Sequence, residues 1–188
     1  MPDATLTRIR HADPGAVQAL ASAILRLWPE GRRLQVACIG TDRSTGDAFG
    51  PLVGTALQAA GVDAHGTLDD PIGSSSLSQR VLAMRDGSAF LLAVDATLGR
   101  MEHVGHLSVC GGPVVPGAGV NKVLPPVGDA CLLGCVNVGG FMEYFVLQNT
   151  RLHLVMQLAD VAAAGIVQAV AARALGEVAA AGEVGVCR

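Results

Sequence analysis

The stretch "LQVACIGTDRSTGD", Leu34 to Asp47, decides the fold. Residues 34–40 form an apolar run bounded by turn residues, the pattern of a strand covered on both faces. The loop that follows places two acids and an arginine, Asp42, Arg43 and Asp47, directly after this buried segment. Then "GPLVGTALQAAG" has helical spacing and stops at Gly61, a residue suited to a helix C-terminus. Strand, polar loop and helix in this order are the first half of a strand-helix-strand unit.

Outward from this unit the alternation continues. Asp13-Pro14 has the form of an N-cap with proline at the first helical position, opening a helix to about Leu27 that Pro29 and Gly31 end. A short strand is expected near Asp63 to Thr67, and a helix over "SLSQRVLAMRDG" capped by Ser75 or Ser76. "AFLLAVDAT" is a second strongly buried strand ending in Asp95, and "GHLSVC" and "CLLGCVNV" are further strands. "FMEYFVLQN" and the Ala-rich segment from about Leu152 are helices. The expectation is one α/β domain over 1–188, with an N-terminal helical part (1–33), a core (34–176) and a tail (177–188). Its architecture is a three-layer α/β/α arrangement around a mostly parallel sheet.

Bulk composition narrows the function classes. In 188 residues, 51% are apolar and 15% charged, and the net charge is −3, which argues against disorder and against electrostatic capture of nucleic acid. Aromatics are 3%, too few for a base-stacking platform. The N-terminus "MPDATLTRIRHADPG" lacks an apolar signal segment, and Gln157, Asp160 and Gln168 interrupt the Ala-rich helix. A cytoplasmic protein without membrane or nucleic-acid contacts is expected, and the sequence leaves a homo-oligomer open. The five cysteines, Cys38, Cys110, Cys131, Cys135 and Cys187, form no CxxC pair and read as buried thiols.

Ligands of parallel sheets sit beyond the carboxyl ends of strands. Asp47 follows the first buried strand and Asp95 closes a later one, so neighbouring strands would bring both acids to one rim. Two carboxyls in one crevice cannot both ionise freely, so one keeps a proton while the other acts as a base. The pattern equally allows Asp42 or Asp47 to cap the next helix and Asp95 to brace a loop. Phosphate binding is excluded at this turn: a phosphate loop needs lysine after its second glycine, and Asp47 follows Gly46. A second loop, "PGAGVNK", has Gly117 and Gly119 for close backbone approach and Asn121 and Lys122 as donors to a peptide or oxyanion. The alternative there is a glycine-rich surface turn with a solvated lysine. His103 and His106 with Glu102 match no metal-site spacing, and no GxSxG elbow supplies a serine nucleophile.

Taken together, "CIGTDRSTGDAFGPLVG", "VDATLGR", "PGAGVNKVLPPVGD" and "VNVGGFMEYFVLQNTRL" resemble the YyaC-type sporulation proteins of spore-forming bacteria, from about Leu34 to Leu158. That family is similar to the spore germination protease and, more distantly, to hydrogenase maturation endopeptidases. The resemblance implies a phosphorylase/hydrolase-like fold and catalytic roles for Asp47 in "GDAFGP" and Asp95 in "VDAT". The germination protease's "PGSGV"-like loop is matched by Pro116, Gly117, Gly119 and Val120, and the residues themselves suggest Asp42, Arg43, Asn121 and Lys122 as substrate contacts. No histidine stands where the maturation enzymes add one to two acids, so neither metal nor cofactor is expected. The function expected is an aspartic-type endopeptidase of sporulation or germination acting on a protein or peptide, such as small acid-soluble spore proteins. A non-catalytic binding module and a metal-dependent maturation-type endopeptidase are the alternatives.

Overall fold

A computed structural model describes residues 5–84, 87–116 and 124–184, with side chains through residue 176. In chain order the elements are β1 (Thr5–Arg10), α1 (Ala16–Leu27), β2 (Leu34–Cys38), α2 (Phe49–Ala59), β3 (Ala64–His65) and α3 (Leu77–Met84). They continue with β4 (Phe90–Gly99), β5 (His106–Gly111), β6 (Ala130–Val138), α4 (Glu143–Gln148) and α5 (Leu152–Val184). Short 3₁₀ turns lie at Gly46–Ala48 and Met101–His103.

The strands form a six-stranded sheet in the order β1-β5-β6-β4-β2-β3. Pairs β2·β3, β2·β4 and β4·β6 are parallel, and β5 pairs antiparallel with both β6 and β1. All five residues of β2 are buried, as the opening apolar run requires of a strand flanked on both sides. One sheet face carries the larger core, where Leu20 and Ile24 of α1, Phe49, Val53 and Leu57 of α2, and Leu158, Ala162 and Ile166 of α5 pack on Leu92, Val94 and Leu132. The other face carries a smaller core, with Leu77, Val81 and Met84 of α3 against Ala37, Leu91, Ala93 and Cys131. The fold is therefore three-layered and mostly parallel.

Four features differ from the sequence reading. Residues 5–10 form a strand, of which Ile9 is the one buried residue; its partner β5 lies about 100 positions away, so no local signal marks it. The N-cap of α1 is Gly15 at φ 82°, and Asp13 contributes its backbone carbonyl to the Ala16 amide at 3.1 Å. Strand β4 continues four residues beyond Asp95, because its later half pairs with β6 after β2 has ended. Residues 152–176 are long and apolar enough to cross a bilayer by length and composition, despite Asp160 and the two glutamines. In the fold this helix lays Val155, Leu158, Ala162, Ile166 and Ala169 into the larger core.

Cys38, Cys110, Cys131 and Cys135 are free and buried. Cys187 lies outside the described residues.

Candidate active site

The chain leaves β2 on one side to form β3, then crosses back to form β4 on the other side of β2. Helix α2 covers one face on the first crossing and α3 covers the opposite face on the second. A crevice opens where strand order reverses in this way, outside the carboxyl ends of β2 and β4. Asp47 and Asp95 both stand at this crevice.

Asp95 follows Val94, the last β4 residue paired with β2, and is opposite Leu133 of β6. Alternation along β4 turns it to the same face as Leu91 and Ala93, under the smaller core. The Ala96 amide donates to its Oδ1 at 2.9 Å. Burial and the charge of Asp47 push its pKa up to about 8, against the smaller opposing effect of the Ala96 amide. Asp47 sits on the 3₁₀ turn that runs straight into α2. Burial raises its pKa as well, and the Ser44 hydroxyl opposes that rise. The two carboxyls are thus close enough for the charge of Asp47 to act on Asp95.

The geometry of the Asp47 turn comes from glycine and aromatic packing. The Thr41 amide donates to the Asp47 carbonyl at 3.1 Å, closing the loop, and the Ala48 amide donates to the Ser44 carbonyl at 3.0 Å. Gly40 has φ 144°, and a Cβ there would run into the Asp47 carbonyl. Gly50 brings the first turn of α2 against the Ile39 carbonyl, where a Cβ would collide. Phe49, fully buried, places its ring over Gly134 of β6, where a Cβ would meet it at 2.8 Å. Leu147 of α4 packs on Gly46 from the outer side.

Asp42 and Arg43 are exposed on the same loop. Thr41 Oγ1 donates to Asp42 Oδ1 at 3.5 Å and accepts from the Arg43 amide at 3.3 Å. Gly117, Gly119, Asn121 and Lys122 lie outside the described residues. Pro116, just before them, is buried. His103 Nε2 lies 2.8 Å from Arg8 Nη1, and His106 Nδ1 lies 3.1 Å from the His103 carbonyl. Among the described residues no three His, Cys, Asp or Glu side chains gather to hold an ion.

Sequence reasoning passed over Ser44. Ser44 is 7% exposed, and its hydroxyl lies beside the Asp47 carboxyl, whose ionised form it favours. A serine in a polar loop carries no mark of burial; only the tertiary packing of that loop creates it. The groove beside α4 was also passed over. Asn137, Val138, Phe141, Met142, Phe145 and Val146 line it, with Gly139 and Asn149. Its signal was present in sequence, since three of the chain's six aromatics fall between 141 and 145.

The chain is 47% identical over 166 residues to Uncharacterized protein YyaC of Bacillus subtilis (strain 168), covering 84% of this chain and 80% of the relative. Its fold is similar to a crystal structure of the [NiFe] hydrogenase maturation protease HycI from Thermococcus kodakarensis KOD1. The TM-score is 0.50 at 20% identity, over 80% of this chain and 97% of the other. Residues 8–165, which include both acids and the whole switch-point crevice, match the family described as "Protein of unknown function (DUF1256)", and the chain belongs to that family.

Proposed function

We propose that the protein is an endopeptidase that activates water with Asp47 and Asp95. The observation carrying this reading is the placement of two carboxyls beyond the ends of the adjacent parallel strands β2 and β4, where burial and then the charge of Asp47 raise the pKa of Asp95. In this reading Asp95, whose pKa burial and the Asp47 charge push up to about 8, is the partner that holds the proton, and Asp47, whose ionised form the Ser44 hydroxyl favours, is the carboxylate. Asp47 takes a proton from water as the water oxygen attacks the peptide carbonyl carbon, and Asp95 protonates the carbonyl oxygen. Collapse of the tetrahedral intermediate returns the Asp95 proton and breaks the C–N bond, with the amine leaving on the proton held by Asp47. The fold shared with a maturation protease supports a peptidase framework. The motif resemblance to the germination protease supports an aspartic type, a role in sporulation or germination, and small acid-soluble spore proteins as substrate. Asp42, Arg43, Gly117, Gly119, Asn121 and Lys122 are proposed to flank the bound peptide, in a cytoplasmic protein of the sporulating cell or spore.

The test is cleavage of a small acid-soluble spore protein by the native chain and by Asp47→Asn and Asp95→Asn. Loss of cleavage in both variants with unchanged far-UV circular dichroism is expected. Retained cleavage in both would sink the aspartic reading. One observation favours a second reading: the exposed aromatic cluster at 141–145 suits a binding module that keeps the crevice without cleaving. Binding of the spore protein with no cleavage between pH 4 and 9 would select it.

A further inference from the structure

The aromatic cluster has a position that bears on substrate choice. Phe141 is 79% exposed, and Met142, Tyr144 and Phe145 are each just over half exposed. Isolated exposed apolar residues are ordinary, but here they adjoin in a chain whose aromatics are otherwise mostly interior. Met142 adds backbone strain: at φ 48° it is the one non-glycine residue with positive φ among the described residues. Such a conformation costs a side-chain-bearing residue about 1 kcal/mol or more and concentrates at ligand sites.

The groove between these side chains and the end of β6 has a volume of about 520 Å³ and is open along one side. None of its lining residues is charged. The Asn137 side-chain amide is turned inward to Thr150 Oγ1 at 3.2 Å, and that of Asn149 to the Phe145 carbonyl at 2.9 Å. What enters must therefore be apolar.

Its place in the fold says what that is. Strand β6 runs parallel to β4, so its carboxyl end lies on the same rim as the acids. The Gly139 amide donates to the Gly99 carbonyl at 2.9 Å, tying the groove floor to the end of β4. On its other side α4 seats Leu147 on Gly46, the residue before Asp47. From the Asp95–Leu133 pair to the Gly99–Val138 pair is four residues of β4, roughly 13 Å of strand. An extended peptide covers that span with three to four residues. A second copy of the chain is a poorer occupant, because a stable interface engages about 20–30 residues a side and eight residues line this groove.

We infer that the groove formed by Phe141, Met142, Phe145 and the carboxyl end of β6 is a specificity subsite that receives an apolar side chain, of Phe or Leu type, from a peptide extending out of the Asp47–Asp95 crevice. The inference rests on the peptidase reading for the direction of the peptide. It makes Phe141 and Phe145 specificity determinants with no part in bond cleavage.

Binding and cleavage are measured separately to test it. Fluorescein-labelled Gly/Ser octapeptides carrying Phe, Leu, Ser or Lys at one central position are titrated by anisotropy into full-length Asp95→Asn protein. The same titration is made with Phe141→Ser or Phe145→Ala added, and the native chain is assayed for cleavage of each peptide. The Phe and Leu peptides are expected to bind roughly tenfold or more tightly than the Ser and Lys peptides. That preference should largely vanish in both groove variants. Equal binding of all four peptides, or a preference unchanged by both substitutions, overturns the subsite. So does a native dimer that Phe145→Ala dissociates without altering peptide binding, which assigns the groove to a second copy. If the preference holds while the native chain cleaves none of the peptides or the spore protein, the groove stands and hydrolysis falls. Cleavage with no side-chain preference gives the reverse.

Discussion

Gly40 lies directly beneath the Asp47 carbonyl, so near that a side chain at residue 40 would occupy the oxygen's place. The Thr41 amide then reaches that oxygen at 3.1 Å. Glycine here is a steric requirement for placing the candidate catalytic turn against the end of β2. Gly40→Ala is expected to push the Asp47 turn outward, lowering cleavage at least tenfold while the far-UV spectrum stays native. Parallel cleavage and circular dichroism measurements on the variant check this.

The acid pair also sets a pH profile. Cleavage should rise as Asp47 ionises, on a limb above the ordinary carboxylate range, and fall as Asp95 loses its proton near pH 8. Initial rates between pH 4 and 9.5 measure both limbs. Because Asp47→Asn removes cleavage, its charge is tested through the pH dependence of thermal unfolding: a dependence left unchanged by Asp47→Asn would contradict the contribution of that charge to Asp95.

Asp95 makes a separate prediction about stability. Its native pKa, about 8, stands above the value of about 3.9 for an unfolded aspartate. Below pH 4 both states hold the proton and Asp95 contributes nothing. From pH 4 to 8 the unfolded chain releases the proton while the native chain keeps it, so stability falls as pH rises, by at most about 1.4 kcal/mol per unit. Above pH 8 the loss is complete. Asp95→Asn should therefore melt close to the native chain at pH 4 and above it at pH 8.5, by an amount of the order of 2–4 kcal/mol. Thermal unfolding at the two values provides the comparison.

Ser44→Ala tests the electrostatic role of a buried hydroxyl. The hydroxyl lies beside the Asp47 carboxyl and opposes the rise in its pKa by favouring the ionised form. Its removal should shift the acid limb of the cleavage profile upward. An unmoved acid limb would remove Ser44 from the site.

Two glycines predict opposite outcomes. A Cβ at Gly50 would collide with the Ile39 carbonyl, so Gly50→Ala should cost about 3 kcal/mol or more as α2 is forced off β2. Gly176, in α5, has nothing within 4 Å of its Cβ position, and Gly176→Ala should stabilise by about 0.5–1 kcal/mol. Denaturant midpoints of the two variants give both signs.

Much of this architecture was legible in the sequence because its signals are local. The buried run at 34–38, the Gly61 stop at φ 77° and the buried strand segments at 90–95 and 131–138 each follow from period, propensity or turn chemistry within about a dozen residues. The acid at residue 47, instead of a phosphate-binding lysine, was likewise readable, and it argued against a phosphate loop at this turn. Tertiary structure alone decided the rest, for a physical reason common to each case. Strand β1 exists because β5 offers it an edge, and Asp95 lies inside β4 because β6 extends further than β2. Ser44 is buried by the packing of its loop, and the pKa of Asp95 is raised by burial and by the Asp47 charge that a chain reversal brings beside it. Burial and charge–charge coupling are properties of distances between residues far apart in the chain. A single sequence specifies which groups are available to interact, and packing determines which of them do.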